Sequence, residues 1–259
     1  MARRRNTPDW LTATPIAHRG LHDAARGIVE NTLPAAEAAI AHGFAIECDV
    51  QLSADGAVVV FHDDTLERLT GAAGPVARRD LAALRLLSLK GTDARIPTLQ
   101  ELLELVDDRV PLLIELKSTW RRDGGKALVA AVAGVMAACR GRAALMSFDP
   151  DIVELLHLAL PDRPVGITAD RALRGPDYAG QSAITRFGLR HLLHGPRTRP
   201  DFVAYDVAAL PMPATLVMMR LLHRPVLTWT VRTEKDLFRA RAFADQIIFE
   251  GFVPENPQR

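Results

Sequence analysis

Short apolar runs rich in β-branched residues recur along this chain and alternate with alanine- and leucine-rich segments of helical period. This alternation predicts repeated strand–helix units around a parallel sheet. We predict eight parallel strands, near residues 15–18, 44–49, 111–117, 143–148, 164–168, 202–205, 226–230 and 246–250. Eight such units within 259 residues favour a closed (β/α)8 TIM barrel, which is an α/β fold, over an open sheet.

Helices are predicted in most of the gaps between these strands. Two of them have a threonine at the position that caps a helix start: Thr32 before residues 33–42 and Thr98 before residues 99–106. A third, alanine-rich helix is predicted over residues 125–139.

A ninth apolar run, at residues 57–62, breaks the strand–helix alternation. Only the turn at residues 53–56 joins it to the second strand, which is too short for a parallel return. Asp55-Gly56 in that turn favours a hairpin, so the run should return antiparallel and bring His62 toward Glu47 and Asp49. Residues 64–95 show weak periodicity, and we interpret them as a small insertion in a single domain spanning residues 1–259.

Composition excludes several classes of protein. Lysine and arginine number 32 against 31 acidic residues, so the chain has no global field that would attract nucleic acid or an anionic membrane. The apolar runs fall short of the ~20 residues that span a bilayer, and the first sixteen residues lack the apolar core of a secretory signal. We therefore expect a cytoplasmic protein with no nucleic-acid partner and no stable membrane insertion; the oligomeric state is left open.

Acidic residues end two neighbouring strands. Glu47 and Asp49 are two positions apart, so they project from the same face of the second strand, and Glu115 and Lys117 repeat this spacing on the next. Any one carboxylate could simply pair with an arginine. Three converging carboxylates at the rim of a barrel instead favour a site for one hard divalent cation, Mg²⁺ or Ca²⁺.

Two histidines should lie at the same rim, because His18 closes the first strand and His62 closes the hairpin. One imidazole can accept a proton from a nucleophile while the other donates a proton to a leaving oxygen. Three carboxylates, a divalent cation, Arg19 and Lys117 sum to a charge of plus one, which a phosphodiester monoanion neutralises. The other six histidines are interpreted as structural.

An ordered set of motifs carries a resemblance to a known family. The motifs are His18-Arg19-Gly20, Glu30-Asn31-Thr32, Glu47-Cys48-Asp49-Val50-Gln51, Asp55-Gly56, Phe61-His62-Asp63, Ile96-Pro97-Thr98-Leu99, Glu115-Leu116-Lys117, Ser147-Phe148 and Trp229-Thr230-Val231. Together they span almost the whole chain, which resembles the glycerophosphodiester phosphodiesterase family.

The resemblance implies a barrel that hydrolyses glycerophosphodiesters to glycerol 3-phosphate and an alcohol. It implies that the segment after His62 is the family's small extra domain, that the two histidines act as acid and base, and that the three carboxylates hold the metal. It also implies phosphate contacts from Arg19 and Lys117 and an apolar wall formed by Trp229 against the glycerol. The chain departs from the family at Arg232, where asparagine is usual, and this arginine would add positive charge near the substrate mouth.

Two alternatives remain at this point. A sphingomyelinase D-like phosphodiesterase shares the two histidines and three carboxylates, but the absence of a secretory signal, a lipid-docking patch and a disulfide pair argues against it. A non-catalytic barrel that binds a phosphorylated ligand would use Arg19, Lys117 and Trp229, yet it would not need both His18 and His62.

Overall fold

Eight parallel strands close into a barrel in the computed structural model, which describes residues 7–118, 120, 124–172, 178 and 180–255. The strands are β1 (Ile16–Ala17), β2 (Ala45–Leu52), β4 (Leu112–Leu116), β5 (Ala143–Ser147), β6 (Val165–Ala169), β7 (Phe202–Asp206), β8 (Val226–Val231) and β9 (Gln246–Phe249), with β3 (Val58–Val60) outside the cylinder. The first strand pairs with both β2 and β9, and this double pairing closes the sheet. The predicted TIM barrel is confirmed.

Helices connect the strands and cover the outside of the barrel. They are α1 (Trp10–Ala13), α2 (Leu33–His42), α3 (Glu67–Thr70), α4 (Leu81–Arg85), α5 (Leu99–Val106), α6 (Gly124–Met136), α7 (Pro150–Ala159), α8 (Ala183–Arg190), α9 (Gly195–Thr198), α10 (Pro213–Arg220) and α11 (Glu234–Phe243). Thr98 and Glu101 form a reciprocal capping box at the start of α5. Prediction placed the end of α6 three residues too late, because the chain turns where the Cys139 N–H bonds to the Met136 carbonyl. Within the described ranges, no helix has the length and apolar character to cross a membrane.

The hairpin after β2 forms as predicted. Strand β3 pairs antiparallel with the end of β2, with Val60 opposite Val50. Gly56 in the turn has a φ of +83°, a backbone conformation that glycine adopts without strain. The Phe61 N–H then donates to the Asp49 carbonyl over 3.0 Å, so His62 follows directly beside the acidic end of β2.

The segment after the hairpin has a small core of its own. Helices α3 and α4 flank a 3₁₀ turn at Val76–Arg78. The buried members of this core, which include residues of the hairpin, are Val29, Val59, Phe61, Leu66, Leu69, Val76, Leu84, Leu89 and Ile96. The segment therefore packs on the hairpin, beside the carboxyl ends of the barrel strands.

The barrel interior is filled by apolar side chains from alternate strand positions. Close packing leaves no room for a side chain at position 166, since a Cβ on Gly166 would lie 2.3 Å from the Phe202 ring. Trp10, on the helix that precedes β1, and Trp229, near the end of β8, pack against the same interior cluster. They lie at its opposite ends, because α1 leads into the barrel and Trp229 lies where β8 leaves it.

Candidate active site

One cavity at the carboxyl ends of the strands brings together all the predicted site residues. Its lining consists of His18, Arg19, Glu47, Asp49, His62, Glu115, Lys117 and Trp229, together with Met146, Phe148, Thr168 and Ile248. The catalytic ends of barrel enzymes are built in this way, from residues that end several different strands.

Three carboxylates form the floor of the cavity. Asp49 on β2 lies directly opposite Glu115 on β4, and Glu47 precedes Asp49 by one step on the same face. One oxygen from each carboxylate lies within 4.8 Å of the others. Their exposed fractions are only 2%, 2% and 6%, so three acidic groups share a nearly dry site.

Burial, mutual repulsion and nearby positive charges shift the pKa values of these three carboxylates in different directions. Burial raises the pKa of Glu47 well above its usual range, and the nearby Asp49 and Glu115 carboxylates raise it further. Burial also raises the pKa of Glu115, although Lys117 opposes this shift. Burial would raise the pKa of Asp49 as well, but the positive charges of His62, Lys117 and Arg19 bring it below its usual range. A buried, all-oxygen site whose carboxylates repel one another fits a hard divalent cation, which would offset that repulsion.

Two cations stand beside these carboxylates. The Lys117 ammonium lies 3.3 Å from Glu115 Oε1 and 3.6 Å from Asp49 Oδ1. Arg19 Nε lies 3.4 Å from Asp49 Oδ2, and the Arg19 backbone N–H donates to Glu47 Oε2 over 3.0 Å. Gly20 is required next to Arg19, because its φ is +77° and a Cβ would lie 2.8 Å from atoms of Ala35.

Each histidine of the cavity bonds a carboxylate through Nδ1. For His18 the partner is Glu250 Oε2 at 2.5 Å, and for His62 it is Asp63 Oδ1 at 2.7 Å. The other ring nitrogen of His18, Nε2, lies 3.9 Å from Glu47 Oε2. Burial lowers the pKa of His18, although the hydrogen bond to Glu250 opposes that shift. The bonded Nδ1 atoms leave Nε2 of each ring available for a substrate.

Prediction from sequence assigned no role to Glu250, whose carboxylate contacts Arg232 and His22 in addition to His18. Glu250 Oε1 lies 2.6 Å from Arg232 Nε. Glu250 Oε2, the oxygen that bonds His18, lies 3.6 Å from His22 Nε2. The positive charge of Arg232 is therefore paired with Glu250, the carboxylate that also bonds His18. A signal for Glu250 existed, because it follows the last strand as His18 follows the first.

Further residues with no predicted role bond the cavity residues from behind. The Asn31 amide donates to Asp49 Oδ2 over 2.9 Å and accepts the Asp49 N–H. Glu30 bonds Arg19 and Arg68, each over 2.7 Å, and Arg68 continues to Asp63 over 2.6 Å. Glu30 and Asn31 belong to a motif recognised in the sequence, whereas Arg68 lies in the weakly patterned insertion and had no signal.

Aromatic side chains form one wall of the cavity. The Trp229 indole N–H donates to the Ala204 carbonyl over 3.2 Å, which fixes the ring at the end of β8. Phe148 meets the Trp229 ring edge-on, with 5.5 Å between centroids. Trp229 therefore lies at the rim and offers an apolar face to the cavity.

Comparison with protein families gives a match over almost the whole chain. The family model described as the glycerophosphoryl diester phosphodiesterase family matches residues 18–253. This range begins at the first cavity histidine and includes every residue that lines the cavity.

Individual proteins agree with the family match. A glycerophosphodiester phosphodiesterase of Caldanaerobacter subterraneus is 40% identical over 111 residues, which cover 40% of this chain and 44% of the relative. A Mycobacterium tuberculosis protein named a probable glycerophosphodiester phosphodiesterase 1 is 33% identical over 195 residues, covering 67% and 69%. The match thus spans less than half of the first relative's length.

Among solved structures, an Oleispira antarctica phosphodiesterase in complex with the product sn-glycerol-3-phosphate has the same fold. The two structures superpose with a TM-score of 0.74 over 91% of each chain, at 22% sequence identity.

Proposed function

Since this chain belongs to the glycerophosphoryl diester phosphodiesterase family, we propose that it hydrolyses glycerophosphodiesters to glycerol 3-phosphate and an alcohol. The observation that carries the proposal is the convergence of two histidines, three buried carboxylates and two cations in one cavity. A phosphodiester needs a general acid, a general base and positive charge around its phosphoryl oxygens. The Oleispira neighbour, with a bound glycerol 3-phosphate product, supports this substrate class.

We propose that His18 and His62 exchange the two protons of the reaction. One imidazole Nε2 accepts the proton of the attacking oxygen, which belongs to water or to the substrate's own glycerol hydroxyl, as that oxygen bonds to phosphorus. The other donates a proton to the alcohol oxygen as its bond to phosphorus breaks. If the glycerol hydroxyl attacks, water opens the resulting cyclic phosphate in a second displacement with the two histidine roles reversed, so either route consumes one water. Glu250 and Asp63 bond the Nδ1 atoms, which would leave each Nε2 to act on the reacting group.

Glu47, Asp49 and Glu115 would hold one divalent cation, Mg²⁺ or Ca²⁺. When bound, such a cation supplies positive charge to the phosphoryl oxygens in the transition state. Arg19 and Lys117 flank the three carboxylates and would contact the remaining phosphate oxygens, while Trp229 would cover the glycerol. Lys117 and Arg19 also limit the repulsion between the carboxylates before substrate enters.

A product assay tests this function. Purified protein with Mg²⁺ or Ca²⁺ is incubated with glycerophosphocholine, glycerophosphoethanolamine or glycerophosphoglycerol, and glycerol 3-phosphate is measured by a coupled dehydrogenase. We expect glycerol 3-phosphate and alcohol in equal amounts, and no hydrolysis by the His18→Ala/His62→Ala double variant. Release of choline from sphingomyelin with no glycerol 3-phosphate from any of the three diesters would favour the sphingomyelinase D-like alternative.

A further inference from the structure

Helix α8 exposes large apolar side chains that a water-facing helix does not need. Ile184 and Phe187 are 85% and 58% exposed, and Leu193, just after the helix, is 60% exposed. Residues three apart in a helix share a face, so Ile184 and Phe187 form one apolar ridge. Leu189 points the other way and is 6% exposed. We call Ile184, Phe187 and Leu193 the α8 surface.

The α8 surface belongs to the catalytic end of the barrel. The Tyr205 hydroxyl, near the carboxyl end of β7, lies 2.7 Å from the Arg190 carbonyl at the end of α8. The same hydroxyl lies 3.0 Å from the carbonyl of Asp170, which directly follows β6. These two contacts fix the end of α8 over the rim where β6 and β7 terminate.

The inner face of α8 continues the apolar wall of the active site. Leu189 clusters with Ala172 and Tyr178, and Phe148 packs against this cluster. Phe148 stands edge-on to Tyr178 at 6.3 Å and edge-on to Trp229 at 5.5 Å. An unbroken series of apolar contacts therefore leads from the catalytic cavity to the helix that carries the exposed ridge.

Positive charge accompanies this ridge. Residues 178–199 contain four arginines and no acidic residue, although the whole chain is almost neutral. Arg197 is paired with Asp151 and Glu154, each at 2.8 Å. Arg199 is exposed, Arg186 and Arg190 are half-buried, and within this segment no carboxylate offsets their positive charge. A short helix that combines exposed large apolar residues with arginines matches the chemistry of the boundary between lipid headgroups and acyl chains.

We propose that the α8 surface docks this protein on an anionic phospholipid bilayer, with the mouth of the catalytic cavity turned toward the lipid headgroups. A second copy of the chain fits this face less well. A two-fold contact would bring two copies of this arginine-rich, acid-free segment together, and three side chains cover far less than the ~800 Å² per partner of a stable interface. An anionic lipid surface satisfies both the apolar ridge and the arginines, and its binding does not depend on the proposed hydrolysis.

Flotation with lipid vesicles tests the proposal on the full chain. Vesicles of phosphatidylcholine alone are compared with vesicles that contain about one third phosphatidylglycerol, at low and high salt. We expect the protein to float with the anionic vesicles only, and binding to weaken as salt screens the arginines. Ile184→Ser/Phe187→Ser and Arg186→Glu should each lower the partition coefficient by on the order of tenfold or more.

Leu158→Ser is the matched control. Leu158 is 80% exposed but lies near the carboxyl end of α7, toward the opposite end of the barrel, so its loss should leave binding unchanged. Melting temperatures should stay at the wild-type value in all variants, because the substituted side chains are outside the core. The proposal is overturned if the wild type fails to float with anionic vesicles, or if Leu158→Ser weakens binding as much as Ile184→Ser/Phe187→Ser. A dimer in analytical ultracentrifugation that Phe187→Ser dissociates would also overturn it, by assigning the α8 surface to self-association.

Discussion

His18 and His62 have the same hydrogen-bond arrangement but unequal exposure, since their side chains are 11% and 29% exposed. General acid and base groups contribute on the order of 10²-fold or more to turnover. We expect His18→Ala and His62→Ala each to lower kcat by at least that factor on an unactivated diester, with little change in melting temperature. A near wild-type rate in either variant would remove that histidine from the chemistry.

Trp229 and Trp10 allow a matched comparison of two tryptophans. Both pack on the interior cluster of the barrel, but only Trp229 lines the catalytic cavity. Trp229→Ala should raise KM several-fold through lost contact with the glycerol, and Trp10→Ala should lower the melting temperature without changing KM. Steady-state kinetics and thermal denaturation of both variants check this. A much lower melting temperature with unchanged KM in Trp229→Ala would show that Trp229 has only a structural role.

Individual residues were predictable where a strand's two-residue period decides their direction. Glu47, Asp49 and Glu115 converge because neighbouring parallel strands end at the same rim. The partner of His18 was not predictable in this way, since Glu250 lies 232 positions further along the chain. Only closure of the barrel brings the ends of β1 and β9 together.

The insertion contributes more than its own small core to the site. Arg68, in α3, bonds both Asp63 and Glu30, and these two acids in turn bond His62 and Arg19. The two hydrogen-bonding arginines hold the pKa of Glu30 at about 2, although burial opposes this. Through these two acids, Arg68 connects His62, a proposed acid/base group, with Arg19, a proposed phosphate ligand.

Arg68→Gln should therefore lower kcat by about tenfold, because misplacing a catalytic group by a fraction of an ångström is costly. Arg85→Gln is the control on the same insertion, since Arg85 pairs with the half-exposed Glu101 at 2.7 Å, away from the cavity residues. Its kcat should stay within about twofold of the wild type. Equal activity in the two variants would show that the ion pairs of Arg68 do not position His62.

Elements with strong local signals were predicted with nearly correct bounds. Capping threonines marked α2 and α5, and Asp55-Gly56 marked the hairpin, because each signal acts over a few neighbouring residues. Helices α3 and α4 have only four and five residues, too few to show a helical period. The exposed apolar residues of α8 were likewise not predicted, and the sequence was expected to carry no lipid-docking patch, because it does not show which face of a short helix the barrel covers.

At the scale of the whole molecule, the buried carboxylates connect metal binding with stability. In the metal-free protein the pKa of Glu47 is raised above its ordinary value of 4.5. A raised folded-state pKa gives stability that is present below the ordinary value and is lost as pH rises through the raised one. We therefore expect Mg²⁺ or Ca²⁺ to raise the melting temperature, and to do so more strongly as pH increases. If metal raised the melting temperature by the same amount near pH 4.5 and at higher pH, the proposed link between Glu47 protonation and metal binding would be wrong.

Glu115→Gln separates charge repulsion from metal binding. The substitution removes one of three mutually repelling carboxylates but also one charged ligand. In excess chelator its melting temperature should be no lower than that of the wild type, and added Mg²⁺ should stabilise it less. A chelated variant clearly less stable than the chelated wild type would mean that Glu115 contributes to folding rather than to a metal site.

The most direct test of the account is the release of glycerol 3-phosphate from glycerophosphodiesters after removal of divalent cations. Arg19 and Lys117 bring two positive charges to the three buried carboxylates of Glu47, Asp49 and Glu115, so a divalent cation would offset the remaining negative charge of the cavity. We predict that chelation abolishes product release, that Mg²⁺ or Ca²⁺ restores it with saturation at one ion per chain, and that Glu115→Gln remains nearly inactive at every concentration. Full activity of the wild type in excess chelator, or a Glu115→Gln protein as active as the wild type without metal, would contradict the account.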